Sequence, residues 1–572
     1  MTILQHSIAQ AAATSSSYQI ARSLRFNSAD SAYLNRTFGA VGNRSVWTWS
    51  GWIKRSKISA VQRLFSGGNG GLLFQANDTF LIDYDGGTNY AATPAVYRDV
   101  GAHCHVHVVL DTTQATATNR IKFWLNGVQQ TLSFTGTIPL NGTGVVNNNV
   151  AHYIGTLNAS SQYCDLMATD IRFIDGQALD PTSFGEFDAN TGVWVPKAYT
   201  GTYGTNGFWL KFDDNSGVTA TTLGKDSSGN GNNWTPNNFS VTAGVGNDSL
   251  VDSPTNYGTD TGAGGEVRGN YCTWNPLKNQ ATLSDGNLSA TNSSTTQWYG
   301  TTGTIGLQSG KWYWECTPTT AATAMIGLAT GSYSTGGHPG WDANSWAYYS
   351  ASGQKFTNNA GAAYGASYTT NDVIGIAFDA DAGTLTFYKN GVSQGTAYTG
   401  LTNGPYFPAV GVVNSQNIYL NAGQRPFAYT APSGFKALCT TNLPTPAIGA
   451  SASTLASKNM NVVTYTGDGT NNRNITGYGF QPDLAWIKSR SNAYDNQLVD
   501  AVRGAGKELY SNLTNAESTL NTVPAFISDG FQVNGGTYAG TNGNGATFVG
   551  WGWNAGGSTV TNTNGSISSQ VR

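Results

Sequence analysis

Phe123-Trp124-Leu125-Asn126-Gly127-Val128 decides the fold, and Phe387-Tyr388-Lys389-Asn390-Gly391-Val392 repeats its message further along the chain. Each is an alternating apolar strand that runs directly into Asn-Gly, the pair favoured where both central residues of a turn need φ > 0. Each therefore reads as a tight hairpin. Both sit within long blocks of short alternating strands, so the sequence predicts two tandem sandwiches with a smaller block behind them. The chain reads as a string of β modules that present a surface.

Composition supports an all-β chain. At 572 residues it is too long for one core. Only 11% of its residues are charged, against about 25% in average chains, so Asn, Thr, Ser and Gly must carry its solubility. The 16 Trp, 28 Tyr and 23 Phe supply ample surface to bury, which excludes a disordered chain. The 72 glycines, with Asn and Asp, suit many turns. A net charge of −3 without any Lys/Arg cluster gives no footprint for nucleic acid. No apolar run reaches the roughly 18 residues of a membrane span, so no membrane insertion is expected. No secretory signal is read at the N-terminus. Five dispersed cysteines, Cys104, Cys164, Cys272, Cys316 and Cys439, lack C-x-x-C spacing and are expected as free buried thiols, folded in a reducing cytoplasm.

Along the chain, residues 1–20 read as a short Gln/Ala/Ser arm, frayed or docked. Residues 21–258 form the first sandwich, opening with Leu24 and Phe26 on one face and Trp47, Trp49 and Gly51 alternating with Thr48, Ser50 and Trp52. Residues 213 to 270 are polar and turn-rich and are expected as long loops plus a linker. Residues 259–436 form the second sandwich, 437–459 a linker, and 460–572 a small C-terminal β domain. No heptad repeat is present, so any trimer must rest on globular contacts.

The first block, with SLRFNSADSAYLNRTF, WTWSGWIKRS, IKFWLNGVQ and DIRFIDGQALDPTSFGEF, resembles the laminin-G-like, concanavalin-type jelly rolls of bacteriophage structural proteins. The second, with GKWYWE, IGLA, DVIGIAFDADAGTLTFYKNG and PYFPAVG, resembles a SPRY domain. The third, with VVTYTGDGT, GFQPDLAWIKSR, DAVRG and FVGWGWNAGG, resembles a small domain that often ends such phage proteins. The resemblance implies tandem concanavalin-like jelly-roll sandwiches followed by a small β-sandwich domain. It further implies a virion protein of a tailed phage, made in the bacterial host cytoplasm and placed on the tail rather than the head. On that reading the chain is a tail fibre or receptor-binding protein, with residues 1–20 available for virion attachment or oligomer contact. Its partners are other virion proteins, a host cell-surface glycan or protein, and further copies of itself, a trimer being favoured. A capsid-associated head fibre or decoration protein is the alternative, and a polysaccharide-degrading enzyme the third.

Chemistry is sparse. Glycosidases on such folds need carboxylates flanking the scissile bond, and no E-x-D-x-x-E triplet occurs; Asp379 and Asp381 fall in a turn. His103, His105 and His107 alternate as metal ligands can, but Cys104, Val106 and Val108 make this an ordinary core strand. No catalytic residue, no metal and no cofactor is assigned, and the chain is read as not an enzyme. A recognition surface is expected in HPGWDANSWAYY, through His338, Trp341, Asp342, Asn344, Trp346, Tyr348 and Tyr349. Aromatic faces beside amide and carboxylate groups suit sugar rings.

Overall fold

Alternation along Val46–Arg55 sets the first sandwich. Trp47, Trp49 and Ile53 enter one core with Phe65, Phe123, Phe173, Phe208 and Trp234. Thr48, Ser50, Trp52 and Lys54 point the opposite way, and they too are buried. A strand buried on both faces demands a layer on each side. The computed structural model, which describes residues 18–189, 191–260, 267–320, 323–444, 455–536, 538–555, 560–562 and 568–571, supplies both.

The described residues hold strands and short 3₁₀ turns only. They fall into two compact units, residues 1–188 with 192–445, and residues 446–572 with 189–191. In the first unit, one sheet of the first sandwich runs Val128–Gln129, Ile121–Leu125, Cys104–Asp111, Val46–Arg55, Leu166–Asp175, Ser23–Phe26, Ser249–Leu250. The facing sheet runs Ser133–Thr135, Tyr90–Val96, Thr79–Asp83, Gly70–Phe74, Gln62–Gly67, Ala151–Ile154, Tyr33–Thr37, Thr235–Asn237. Both Asn-Gly turns take the left-handed form the sequence requires, with φ of 48° and 73° at Asn126 and Gly127 and 49° and 79° at Asn390 and Gly391.

The second sandwich packs two sheets of the same kind. One runs Trp274–Asn279, Tyr299–Gly303, Tyr406–Val412, Ala324–Thr330, Ser345–Tyr349, Lys355–Thr357, Ala360–Ala362. The other is centred on Lys311–Pro318 between Asn417–Asn421 and Ile374–Asp379. Trp274, Trp312, Trp314, Ile376, Phe378 and Phe387 fill the space between them. In the second unit, a sheet built on Thr547–Trp553, Met460–Thr466 and Leu484–Ser489 encloses Ile487, Phe531 and Phe548 with a three-stranded partner.

Within the polar stretch from 213 to 270, the described residues, 213–260 and 267–270, are not free loops. Trp234 is fully buried, and Thr235–Asn237 and Ser249–Leu250 each close a sheet edge. Beyond them the chain is pinned by Lys54, whose Nζ donates to Asp252 Oδ2, Asn270 Oδ1 and the Tyr271 carbonyl, each at 2.8 Å. That is the full donor capacity of an ammonium. A second clamp crosses from sandwich to sandwich: Arg25, which also pairs with Asp248 of its own sandwich at 2.9 Å, donates from Nη1 to the Asp285 carbonyl at 3.3 Å, and Asn27 Nδ2 donates to Asp285 Oδ1 at 2.6 Å. Residues 1–17 of the expected arm lie outside the described residues. Residues just after them are docked, with the Tyr18 hydroxyl donating to Asp170 and Ile20 packed on Trp52 and Trp194.

All five cysteines are free; Cys164, Cys272, Cys316 and Cys439 are buried. Burial pushes the Cys439 thiol up to about 12. The three alternating histidines are absorbed into packing. His105 meets Ser50 Oγ at 2.8 Å and accepts from Trp194 Nε1 at 3.1 Å, while His107 Nε2 donates to the Leu179 carbonyl at 2.9 Å. In the other sheet His152 accepts from the Asn147 N–H at 3.0 Å and donates to the Val150 carbonyl at 2.8 Å.

Replacing Lys54 by Met strands the Asp252 carboxylate in the interior. Urea unfolding should show a loss of about 3–5 kcal/mol, most of it recovered in the Lys54→Met/Asp252→Leu double variant. An unchanged midpoint in the single variant would remove this contact from its structural role. A second expectation concerns acid. Burial holds His107 and His152 at about 4, against about 6.5 in the unfolded chain. The unfolded chain therefore takes up protons first. Their contribution is complete above about pH 6.5 and is lost as pH falls toward 4, at up to about 1.4 kcal/mol per pH unit for each histidine. Unfolding midpoints measured across that window should fall, and less steeply in a His152→Gln variant.

Candidate functional site

Gly300 and Gly411 pair directly across two neighbouring strands of the second sandwich. They leave a bare spot on the outer face of the sheet, and residues 331–342 fold back to fill it. A Cβ on Gly300 would fall 2.1 Å from the Tyr333 hydroxyl oxygen, and one on Gly411 2.6 Å from His338 Cβ. The plug is held by hydrogen bonds. Gly300 N donates to the Thr335 carbonyl and the Tyr333 hydroxyl to the Gly337 carbonyl. His338 is 6% exposed and donates from Nδ1 to the Pro339 carbonyl at 2.9 Å; burial lowers its pKa.

Around this plug stands a ring of aromatic side chains. Trp298 meets His338 edge-on at 5.0 Å, Trp341 meets it at 5.8 Å, and Tyr349 meets Phe356 at 5.7 Å. Trp298 also reaches Tyr349 at 6.4 Å. Trp341 is 52% exposed, while Trp298, Tyr349 and Phe356 are half-buried. The result is an aromatic surface on a rigid sheet, with one indole standing proud.

The structure divides the expected recognition residues. His338, Trp341 and Tyr349 come together on the outer face. Tyr348 and Trp346 alternate with Tyr349 on Ser345–Tyr349 and turn inward. Tyr348 is fully buried among Tyr364, Tyr368 and Phe387, and Trp346 packs on Tyr406. Strand parity thus takes Tyr348 out of reach of a ligand and turns Trp346, which stays half-buried, away from the patch. Asp342 is a turn former: Oδ1 accepts from Asn344 N and Ser345 Oγ, and Oδ2 from Ser334 N. Asn344 offers its carbonyl to Thr330 N at 2.8 Å. Trp298 joins the site from outside the HPGWDANSWAYY stretch, and the adjacent Gly300 is the signal that points to it.

Other chemistry sought in the sequence is accounted for by turns. Asp379 accepts from the Asp381 and Ala382 amides, and Asp85 from Thr88 and Asn89. Among the described residues, no group of three or more His, Cys, Asp and Glu side chains is placed to hold a metal ion.

Residues 311–425 match the family model of the SPRY domain, and residues 455–572 match that of a domain of unknown function, DUF7483. The chain is 35% identical over 136 residues to the E3 ubiquitin-protein ligase RKP of Arabidopsis thaliana, covering 23% of this chain and 10% of that protein. It is 37% identical over 106 residues to Ran-binding protein 9 of Xenopus tropicalis, covering 18% of this chain and 19% of that one. The chain therefore spans a fifth or less of these relatives' length. Among solved structures, the SPRY domain of human HERC1 is 21% identical with a TM-score of 0.23, covering 26% of this chain and 96% of that one. Stonustoxin is 23% identical with a TM-score of 0.23, covering 26% of this chain and 27% of that one.

The SPRY reading of the second sandwich stands. The tail-fibre and receptor-binding assignment, with its head-fibre alternative, does not. The sequence relatives matched are a plant ubiquitin ligase and vertebrate Ran-binding proteins. The physical reason lies in what carried the resemblance. The phage reading rested on stretches of the first and third blocks, such as WTWSGWIKRS, DIRFIDGQALDPTSFGEF and FVGWGWNAGG, which encode paired strands and their turns and so specify a sandwich whatever it serves.

The glycine pair makes a direct test. Gly411→Ala should cost about 1–3 kcal/mol by overpacking and release the plug, read as faster amide hydrogen exchange across residues 331–344. Exchange unchanged there would mean that the loop is held by something other than the bare spot.

Proposed function

We propose that this chain is a non-catalytic recognition protein whose SPRY sandwich takes up a segment of a protein partner on the aromatic outer face. The observation that carries this reading is the exposed Trp341 indole, packed edge-on against the buried His338 that Trp298 and Phe356 also meet. Aromatic anchors on a rigid frame are the usual centres of binding energy, because two torsions hold a large contact area. The names of the matched relatives, a Ran-binding protein and a ubiquitin ligase, support protein recognition as the class of activity. Ligase chemistry is not part of the proposal. The Asp342 carboxylate within this surface is spent on its own turn, so the patch offers contact area and not acid–base chemistry.

Selection of a random peptide library on the full chain tests the reading. Enriched peptides should lose about thirtyfold or more in affinity to Trp341→Ala, the worth of one hot-spot residue, with the unfolding midpoint unchanged. No enrichment, or peptides indifferent to both Trp341→Ala and Trp298→Ala, would reject it.

A further inference from the structure

The first sandwich carries a second surface, of different chemistry. On the outer face of its sheet, Tyr153 from Ala151–Ile154 and Tyr33 from Tyr33–Thr37 lie side by side, ring centroids 6.1 Å apart. Tyr163 continues the line at 6.3 Å from Tyr33. All three rings are half-buried, so each keeps part of its surface in water. Against Tyr153 opens a groove of about 210 Å³, lined also by Ser66, Gly68, Asn69, Leu157 and Asn158. Two left-handed corners bring the amides to its rim, with φ of 70° at Asn69 and 48° at Asn158.

We propose that this groove binds one neutral pyranose ring of a glycan, with Tyr153 as the stacking platform and Asn69 and Asn158 as the hydroxyl partners. Four features converge on that ligand. A sugar presents an apolar C–H face and a rim of hydroxyls, and the groove presents an aromatic face with amides beside it. Each amide carries both a donor and an acceptor, as each sugar hydroxyl does. Asn158 Oδ1 accepts from Ser160 Oγ at 2.7 Å, but the Asn158 Nδ2 contact to Asn69 Oδ1 is 3.5 Å long, at the outer limit of a hydrogen bond, which leaves the Asn158 donors and the Asn69 amide to meet a sugar. No charged side chain lines the groove, which favours a neutral sugar over an acidic one.

Size and topology narrow the choice. The volume is below the roughly 300–1,000 Å³ of sites for drug-sized molecules and suits a single ring. A peptide would be recognised through a free strand edge or an apolar trough. Here Gln62–Gly67 and Ala151–Ile154 are both interior strands, each paired on both sides. Their backbone has no ladder to offer. The Tyr33–Tyr163 pair extends the aromatic floor beyond the groove, where a neighbouring sugar of the same glycan would lie.

The experiment is saturation-transfer difference NMR on the full chain with the methyl pyranosides of glucose, galactose, mannose and N-acetylglucosamine, and with tri-alanine as the peptide probe. At least one sugar should receive saturation at its ring protons. Its affinity should fall about five- to tenfold in Tyr153→Ala, the worth of one aromatic contact. Asn158→Gly, at an exposed position where glycine keeps the left-handed corner, should weaken the same signal severalfold, while Trp341→Ala should leave it unchanged. Transfer to none of the sugars overturns the proposal. So does transfer that survives both groove variants, or that is lost in Trp341→Ala, since the sugar then sits elsewhere. Transfer to tri-alanine alone reassigns the groove to peptide.

Discussion

The Lys54 ammonium, held by three oxygen acceptors at 2.8 Å with its side chain 2% exposed, ties Asp252, Asn270 and Tyr271 to the first sandwich. An ammonium cannot be left in such a place without those partners, because desolvating it costs several kcal/mol. Two of the partners, Asn270 and Tyr271, lead into the first strand of the SPRY sandwich, and Asn270 also donates to the Gly101 carbonyl of the first. One charge therefore sets the register between two domains. The Arg25 bond to the Asp285 carbonyl and the Asn27–Asp285 contact join the sandwiches at a second point. Two sandwiches joined this way behave as one body, which gives the aromatic patch and the tyrosine groove fixed positions within the first unit.

Within the SPRY sandwich, the governing device is a deletion of side chains. Gly300 and Gly411 remove two side chains from the middle of a sheet face, and the vacancy is filled by Tyr333 and His338 from a loop. A loop seated in this way displays Trp341 without the mobility loops ordinarily carry. Binding at such a surface spends little free energy on ordering its own groups. The polar residues of the same loop, Asp342 and Asn344, contribute by closing turns.

The sequence showed the strands and hairpins clearly, because alternation and Asn-Gly are local signals. It drew no reading from Lys54 and placed Asp252 in a polar, turn-rich stretch, because the meaning of each depends on a partner some two hundred positions away. At the candidate site, alternation was present in Ser345–Tyr349 and separates Tyr349 from Trp346 and Tyr348. Which of the two faces is outward depends on the opposite sheet, and no local pattern states that. Trp298 was invisible for a related reason, since it reaches the patch only through the pairing of Gly300 with Gly411. The Tyr33, Tyr153 and Tyr163 line is likewise assembled from three separated segments.

The buried thiols have a practical side. Burial pushes the Cys439 thiol up to about 12, so its reactive thiolate form is scarce at neutral pH. Cys164, Cys272 and Cys316 are enclosed in the same manner, their thiols likewise raised by burial. These sulfurs serve as small hydrophobes and stand aside from oxidants and alkylating agents while the fold is intact. A single cysteine introduced on the surface would therefore outcompete these four for a maleimide dye or spin label, and only the half-buried Cys104 need be replaced before the protein is tagged.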